Sequence, residues 1–172
     1  MLKALAVGLM GVMLVLPGAV VAGVANGETF FERFPALARA ATDNNSSTYN
    51  FARYSFDVVV PTDSGEGLGS LSIGIPNGIR MPAPDMVQAF NGNGDPVALQ
   101  PVNIQGNTVQ VAFVQPVGPG NRVSVQFYPM RNPRRGGTFL FDVNAAPAGP
   151  SPRAQFLSYG RITFYTPGGR GH

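Results

Sequence analysis

The chain of 172 residues contains no cysteine, and its one histidine, His172, is the last residue. Without cysteine there can be no disulfide, no thiolate metal site, no lipid-modified cysteine and no cysteine catalysis. A Ser-His-Asp site needs a base held beside the nucleophile, and a histidine at the chain terminus is poorly placed for that role. His-x-His and Cys spacings are also missing, so zinc and copper sites are not expected. The sequence therefore predicts no catalytic residues, no metal site and no cofactor.

Lysine is almost absent as well, because Lys3 is the only one beside eleven arginines. Residues 23–121 contain four arginines and eight acids, whereas residues 122–172 contain seven arginines and only Asp142 as an acid. Arginine makes planar bidentate contacts with carboxylate, phosphate and sulfate that lysine does not make. The basic last third indicates contact with anionic polysaccharide, lipid phosphate or an acidic protein. The alternative is a solvated surface with a few intramolecular ion pairs.

The N-terminus carries the longest apolar run of the chain. Lys3 precedes an apolar stretch over residues 4–16, Pro17-Gly18 interrupts it, and small residues follow as far as Ala25. This pattern predicts a secretory signal peptide over residues 1–25, cleaved after Ala22 or Ala25. The alternative is an uncleaved N-terminal anchor, since a membrane-spanning helix needs about 20 apolar residues. No second long apolar run follows, so we expect an exported protein, periplasmic or extracellular, that does not span the membrane after cleavage.

Residues 28–42 (ETFFERFPALARAAT) form the one helix candidate. Phe30, Phe34 and Leu37 recur at helical spacing and would line one face. Pro35 lies in the middle of the stretch and indicates a short or broken helix. We therefore predict an N-terminal segment over residues 26–48 that is part helix and part polar loop.

From residue 49 onward the apolar residues alternate with polar ones, as in Tyr54-Ser-Phe-Asp-Val58, and glycine or proline ends each run. About eight short strands with frequent turn signals predict an antiparallel β-sandwich over residues 49–165. Alternation indicates that each sheet has one solvated face. We expect immunoglobulin-like architecture, without the Cys-Trp-Cys core of antibody domains. Residues 166–172 are predicted to form a flexible Gly-rich tail.

Scattered acids offer little support for glycoside chemistry, which needs two carboxylates at a fixed separation. Asp63 and Glu66 share one loop, and Asp85 and Asp95 flank one predicted strand. Their sequence contexts favour turn formation, because Asp side chains hydrogen-bond to the backbone of turns.

The segment Asn91-Gly-Asn93-Gly-Asp95 has the alternating oxygen donors of a calcium loop. No glutamate follows at the twelfth position, where such a loop needs its terminal carboxylate. We predict a β-turn here rather than a metal site.

The most distinctive stretch covers residues 130–138 (MRNPRRGGT). Pro133 restricts the residue before it to extended or turn conformations, and Gly136-Gly137 permits positive φ. Guanidinium groups are therefore predicted to share one tight loop between two strands, namely those of Arg131, Arg134 and Arg135. They would either bind a phosphate or carboxylate ligand or hold the connection, with Arg131 or Arg134 bonding carbonyls of the fold. Nucleic acid is not an expected partner, because the aromatic residues alternate as core positions rather than as exposed stacking platforms.

The order of these segments resembles a family of small exported cyanobacterial proteins classed as domain of unknown function number 2808. The segments that carry the resemblance are YSFDVVVP (54–61), LSIGIP (71–76), QPVGPG (115–120), NPRRGGTFLF (132–141), APAG (146–149) and GRITFY (160–165). The Asn-Pro-Arg-x-Gly-Gly stretch before an aromatic strand is the specific part. The resemblance implies a secreted or periplasmic β-rich domain and supplies no catalytic residues.

Three functional hypotheses follow. The first is a non-enzymatic envelope protein that binds an anionic glycan or a lipid head group through Arg131, Arg134 and Arg135. The second is a structural or protein-partner-binding module that uses an exposed sheet edge or the Phe30-Phe31-Phe34 segment. The third is a glycan-processing enzyme, which rests only on the scattered acids.

Overall fold

A computed structural model describes residues 23–25 and 27–168 of the chain. All but the last residues of the predicted signal peptide lie outside the described residues, as do His172 and the end of the predicted tail. In the part that is described, no helix is long and apolar enough to cross a membrane.

The described residues contain eleven strands and one short 3-10 helix. The strands are β1 (Val24–Ala25), β2 (Glu28–Thr29), β3 (Ala36–Thr42), β4 (Ala52–Val59), β5 (Leu68–Gly74), β6 (Val87–Asn91), β7 (Asn103–Gln105), β8 (Thr108–Val117), β9 (Arg122–Met130), β10 (Gly137–Pro147) and β11 (Gln155–Phe164), and the 3-10 helix is Pro84–Met86.

Two antiparallel sheets form the body of the fold. A four-stranded sheet has the order β3-β4-β9-β6, and a five-stranded sheet has the order β11-β10-β5-β8-β7, while β1 and β2 form a separate two-stranded ribbon. The pairs β10-β5, β5-β8, β4-β9 and β9-β6 are not consecutive in sequence, so the chain crosses repeatedly between the sheets. The predicted β-sandwich of immunoglobulin-like architecture is confirmed.

The core lies between the two sheets and follows from the alternation in the sequence. In β4, Tyr54, Phe56 and Val58 are fully buried while their neighbours on the strand are partly exposed. Phe56 meets Phe127 of its own sheet and Phe141 of the facing sheet, with ring centroids 5.4 and 5.2 Å apart. Each such side chain contributes about 1.5–3 kcal/mol by leaving water.

The predicted N-terminal helix is wrong. Residues 36–42 form β3, which pairs with β4 from Ala36 opposite Val59 to Thr42 opposite Tyr54. The alanines of this stretch favour a helix locally, but β4 offers a complete row of backbone partners, and tertiary pairing overrides a weak propensity. Pro35 is buried and precedes the strand instead of breaking a helix.

The strand registers place the loops of the sandwich at two opposite ends. Ala52 of β4 lies opposite Met130 of β9, and Val59 lies opposite Arg122, so the residues before β4 and after β9 share one end. We call this the arginine end, and it consists of residues 43–51, 75–86, 131–136 and 165–168. The opposite end consists of residues 28–35, 60–67, 118–121 and 148–154, and we call it the acidic end because Glu28, Glu32, Asp63 and Glu66 lie there.

Gly160 in β11 permits the outer strands of the two sheets to come together. A Cβ at this position would lie 2.7 Å from the Cβ of Ala40 and 3.3 Å from Cε1 of Phe56. We expect Gly160→Ala to lower the free energy of unfolding by about 1–3 kcal/mol, because the sheets must separate or side chains must leave their rotamers. Urea unfolding measures this loss.

Gly92→Ala is the matched control, since its Cβ would meet nothing closer than the Cβ of Arg122 at 3.7 Å. Its effect should stay within about 0.5 kcal/mol. Equal losses from the two variants would contradict this account of the sheet contact.

Candidate anion-binding site

Asn132 anchors the arginine loop, although Arg131 before it and Arg134 and Arg135 after Pro133 are exposed. Its side chain is 2% exposed and makes three hydrogen bonds. The Tyr54 hydroxyl donates to Oδ1 over 2.9 Å, while Nδ2 donates to the carbonyl oxygens of Asn44 at 2.8 Å and Ser46 at 2.7 Å. Because a buried amide without partners is costly, these bonds fix where the loop leaves β9.

Two backbone bonds join the same loop to residues 43–51. The Asn132 amide donates to the Tyr49 carbonyl over 2.8 Å, and the Thr48 amide donates to the Pro133 carbonyl over 2.9 Å. Thr48 has a φ of 69°, a left-handed conformation that costs a β-branched residue about 1–3 kcal/mol. The surrounding bonds offset this strain, so the two loops form one rigid unit.

Tyr54 keeps its proton in the folded chain. Burial in the core raises the pKa of its hydroxyl well above the ordinary value of about 10. The hydroxyl therefore remains the donor in the bond to Asn132 throughout the neutral range.

The three arginines that the sequence singled out are all exposed around this anchor. Among the described residues, the side chains of Arg131, Arg134 and Arg135 make no hydrogen bond or ion pair with the fold. The hypothesis that Arg131 or Arg134 holds the connection through carbonyls is not what the structure shows. Asn132 holds it, and the guanidinium groups face solvent.

Arg80 joins this group from a different loop. A shallow pocket of about 150 Å³ is lined by Arg80, Arg131 and Arg134 together with Gly78 and the Asn132-Pro133 anchor. Beside it, a second pocket of about 380 Å³ lies between Arg80 and Arg131, over the residues Asn50, Met81, Met86, Pro129 and Met130. Arg135 lines neither pocket. No motif in the sequence pointed to Arg80, because only the fold brings residues 75–86 next to the arginine loop.

The charges of the two ends differ. The two ion pairs within the described residues both lie at the acidic end, where Arg33 contacts Asp63 at 3.0 Å and Arg153 contacts Glu28 at 4.0 Å. The hydrogen bond from Arg33 holds the pKa of Asp63 below its usual value. The arginine end has Asp43 and Asp85 as its acids, and Asp43 accepts a 2.8 Å bond from the Arg53 amide. The arginine pocket is thus a region of net positive potential.

The structure does not bring the candidate carboxylates together. Asp63 is bound to Arg33 at the acidic end, whereas Asp85 lies in the 3-10 helix at the arginine end.

The segment Asn91–Asp95 forms a hydrogen-bonded turn. Asp95 accepts a 3.0 Å bond from Nδ2 of Asn91, and Oδ1 of Asn91 accepts from the backbone amides of residues 93 and 95. The predicted turn is therefore present. Across the described ranges, no three His, Cys, Asp or Glu side chains lie close enough to hold a metal ion.

The N-terminal aromatic segment belongs to the fold. Phe31 is 2% exposed and part of the core, and Phe30 is half-buried. Phe34 is 52% exposed at the acidic end. This arrangement weakens the hypothesis that all three rings contact a partner.

The chain belongs to the family described as "Protein of unknown function (DUF2808)", whose model matches residues 28–164. The matched region begins before the sandwich domain that the sequence pattern predicted and includes β2 and β3. No curated protein matches the chain.

Solved structures similar to this chain include a bacterial hydrophobin and two major pilin subunits. The bacterial hydrophobin BslA superimposes with a TM-score of 0.52 at 15% identity over 78% of this chain and 95% of that protein. A variant of BcpA, the major pilin subunit of Bacillus cereus, gives 0.53 at 10% identity over 77% of this chain. The major pilin GBS80 fragment of Streptococcus agalactiae gives 0.51 at 7% identity over 76%. The chain spans only 41% and 56% of these two pilin chains, and at such identities the likeness concerns the fold alone.

Replacing Tyr54 tests the anchor. Tyr54→Phe leaves Oδ1 of buried Asn132 without its donor, which should lower the free energy of unfolding by about 1–3 kcal/mol at neutral pH. Tyr159→Phe is the control, because that ring is 56% exposed. Chemical denaturation compares the two variants, and an equal small loss from both would contradict the anchor.

The same pair gives a pH test with a definite sign. Since folding raises the pKa of Tyr54, the stability that its neutral form provides is fully present below about pH 10 and is lost as the pH rises further. The wild type should lose stability above about pH 10 more steeply than Tyr54→Phe. Parallel curves for the two proteins would show that Tyr54 does not titrate this way.

Proposed function

We propose that this protein is a non-enzymatic, exported envelope module that binds anionic groups through the arginine end. The observation that carries the proposal is the pocket lined by Arg80 and by Arg131 and Arg134, the last two on the loop that the buried Asn132 side chain anchors. Arg135 lies on the same loop and adds positive charge to this end. The ligand class is phosphate, sulfate or carboxylate, as presented by an anionic glycan or a lipid head group.

Pre-organisation supports binding by this loop. Asn132 satisfies the backbone and side-chain contacts that fix the loop, so the arginines keep their donors for a ligand. Arginine presents a planar fork of donors that matches two oxygens of one anion. Because the hydrogen bonds already hold the backbone of the loop, binding costs the rotamer freedom of the arginine side chains but little backbone entropy.

The export and envelope part of the proposal rests on the N-terminal sequence. The charged, apolar and small-residue regions over residues 1–25 are those of a signal peptide. The family and the similar structures named above are compatible with a structural or binding module. A periplasmic or an extracellular site would both expose the arginine end to anionic envelope components.

The second candidate is a structural or protein-partner-binding module. It is favoured by the fold shared with two pilin subunits. An envelope protein captured by in-cell crosslinking, with contacts along a sheet edge and none at the arginine end, would support this candidate over anion binding. A glycan-processing enzyme has less support, since Asp63 is paired with Arg33 at the acidic end and Asp85 lies at the arginine end.

Charge replacement tests the anion site. We expect Arg131→Gln with Arg134→Gln to weaken binding to immobilised dextran sulfate and to phosphatidylglycerol by about tenfold at low salt, since two cationic contacts are lost. The wild type should lose its own binding at about 1 M NaCl, where charges are screened beyond about 3 Å. Surface plasmon resonance measures both effects.

Arg122→Gln with Arg161→Gln is the matched control. It removes the same net charge from exposed positions on the sheets, away from the loop. If both double variants weaken binding equally, binding follows overall charge and the arginine end is not the site.

A further inference from the structure

Three exposed aromatic side chains lie at the same end of the sandwich as the arginine pocket. Phe51 is 62% exposed, Tyr165 is 66% exposed and Tyr49 is 40% exposed, and all three lie at or beside the loops of the arginine end. A phenylalanine that faces water to this extent gains nothing in the isolated domain. A function at a surface with an apolar layer would account for it.

Backbone hydrogen bonds tie the segments that carry Tyr49 and Tyr165 to the arginine loop and to residues 45–47, and Phe51 directly precedes β4. The Tyr49 carbonyl accepts from the Asn132 amide over 2.8 Å. The Tyr165 amide donates to the Asn45 carbonyl over 2.8 Å, and the Tyr165 carbonyl accepts from the Ser47 amide over 2.9 Å. The next residue, Thr166, accepts a 3.1 Å bond from the Gly136 amide, immediately after the arginines. Aromatic and cationic side chains therefore extend from one rigid platform.

The pocket between Arg80 and Arg131 continues this apolar character. Met81, Met86 and Pro129 line it together with the two arginines. Arginine stems can lie along such a surface while their charged heads reach polar groups above it. A bilayer interface offers this combination, with phosphates outside and acyl chains beneath.

Of the two anionic sources, the lipid surface matches more of the observations. A sugar ring of an anionic glycan can stack its C–H face on one aromatic ring, but a glycan offers no continuous apolar layer for Phe51, Tyr49 and Tyr165 together. Anionic bilayers attract basic segments, and aromatic side chains are enriched where head groups meet the hydrocarbon layer. Resting on the proposed anion-binding function, we propose that the arginine end docks onto an anionic lipid bilayer and that Phe51, Tyr49 and Tyr165 enter its interfacial region.

The acidic end supplies an internal comparison. Phe34 is 52% exposed there, close to the exposure of Phe51, but it follows Arg33, which is paired with Asp63. Glu32 and Glu66 are neighbours on the same end. An anionic bilayer should repel this end, so Phe34 is a matched position that docking leaves in water.

The chain has no tryptophan, so one introduced indole reports on one position. We would prepare Phe51→Trp and Phe34→Trp from the exported protein, purified after processing, with the N-terminus determined by mass spectrometry. Each is mixed with phosphatidylcholine vesicles with and without phosphatidylglycerol. We expect the Phe51→Trp emission to shift to shorter wavelength and to be quenched by brominated lipid, only with phosphatidylglycerol present. The Phe34→Trp emission should not change.

A loss-of-function variant completes the test. Phe51→Ser should weaken vesicle binding by about tenfold, since the ring no longer leaves water, while binding to dextran sulfate stays as in the wild type. Unshifted Phe51→Trp emission on bound vesicles, or equal shifts at both positions, would overturn the lipid proposal. If Phe51→Ser has no effect but Arg131→Gln with Arg134→Gln abolishes binding to both probes, anion binding stands and only the lipid inference fails. If the arginine double variant binds as the wild type does, the proposed function itself fails.

Discussion

The hydrogen bonds of Asn132 are the constraint on which the arginine end depends. One buried amide joins the Tyr54 hydroxyl in the core to the carbonyl oxygens of residues 44 and 46, and its backbone meets residue 49. The sandwich core fixes Tyr54, Tyr54 fixes Asn132, and Asn132 fixes two loops. The backbone of residues 131–136, which carries three of the arginines, thereby gains a defined position, as sites on supported elements do.

The separation of charge follows from the topology. Both ion pairs of the described residues lie at the acidic end, which leaves the positive charge of the arginine end uncompensated by close partners. The net charge of +3 conceals this difference. A domain with one cationic, aromatic end and one acidic end would approach an anionic surface in a preferred orientation, because its field steers it before contact. The rigid loops then present their side chains without further rearrangement.

The sequence predicted most of the sandwich but only part of the site. Alternation in stretches such as residues 54–58 identified the core, because successive side chains of a strand point to opposite faces of the sheet. The prediction from sequence failed at residues 36–42, where the alanines favour a helix and only pairing with β4 selects a strand. The loop with Arg131, Arg134 and Arg135 was identified from its composition. Arg80 was not, because its position beside Arg131 depends on contacts between distant segments, and the role of Asn132 depends on the burial of Tyr54.

We propose that the arginine end is a pre-formed anion site. The most direct measurement is a titration of the isotopically labelled, processed protein with glycerol 1-phosphate, followed by the amide chemical shifts in NMR spectra. We expect the amide chemical shifts to change in residues 43–51, 78–81 and 131–136 and to stay constant at the acidic end. The hydrogen bond between Tyr54 and Asn132 should persist. Changes spread evenly over exposed arginines such as Arg122, Arg153 and Arg161, or none at the arginine end, would contradict it.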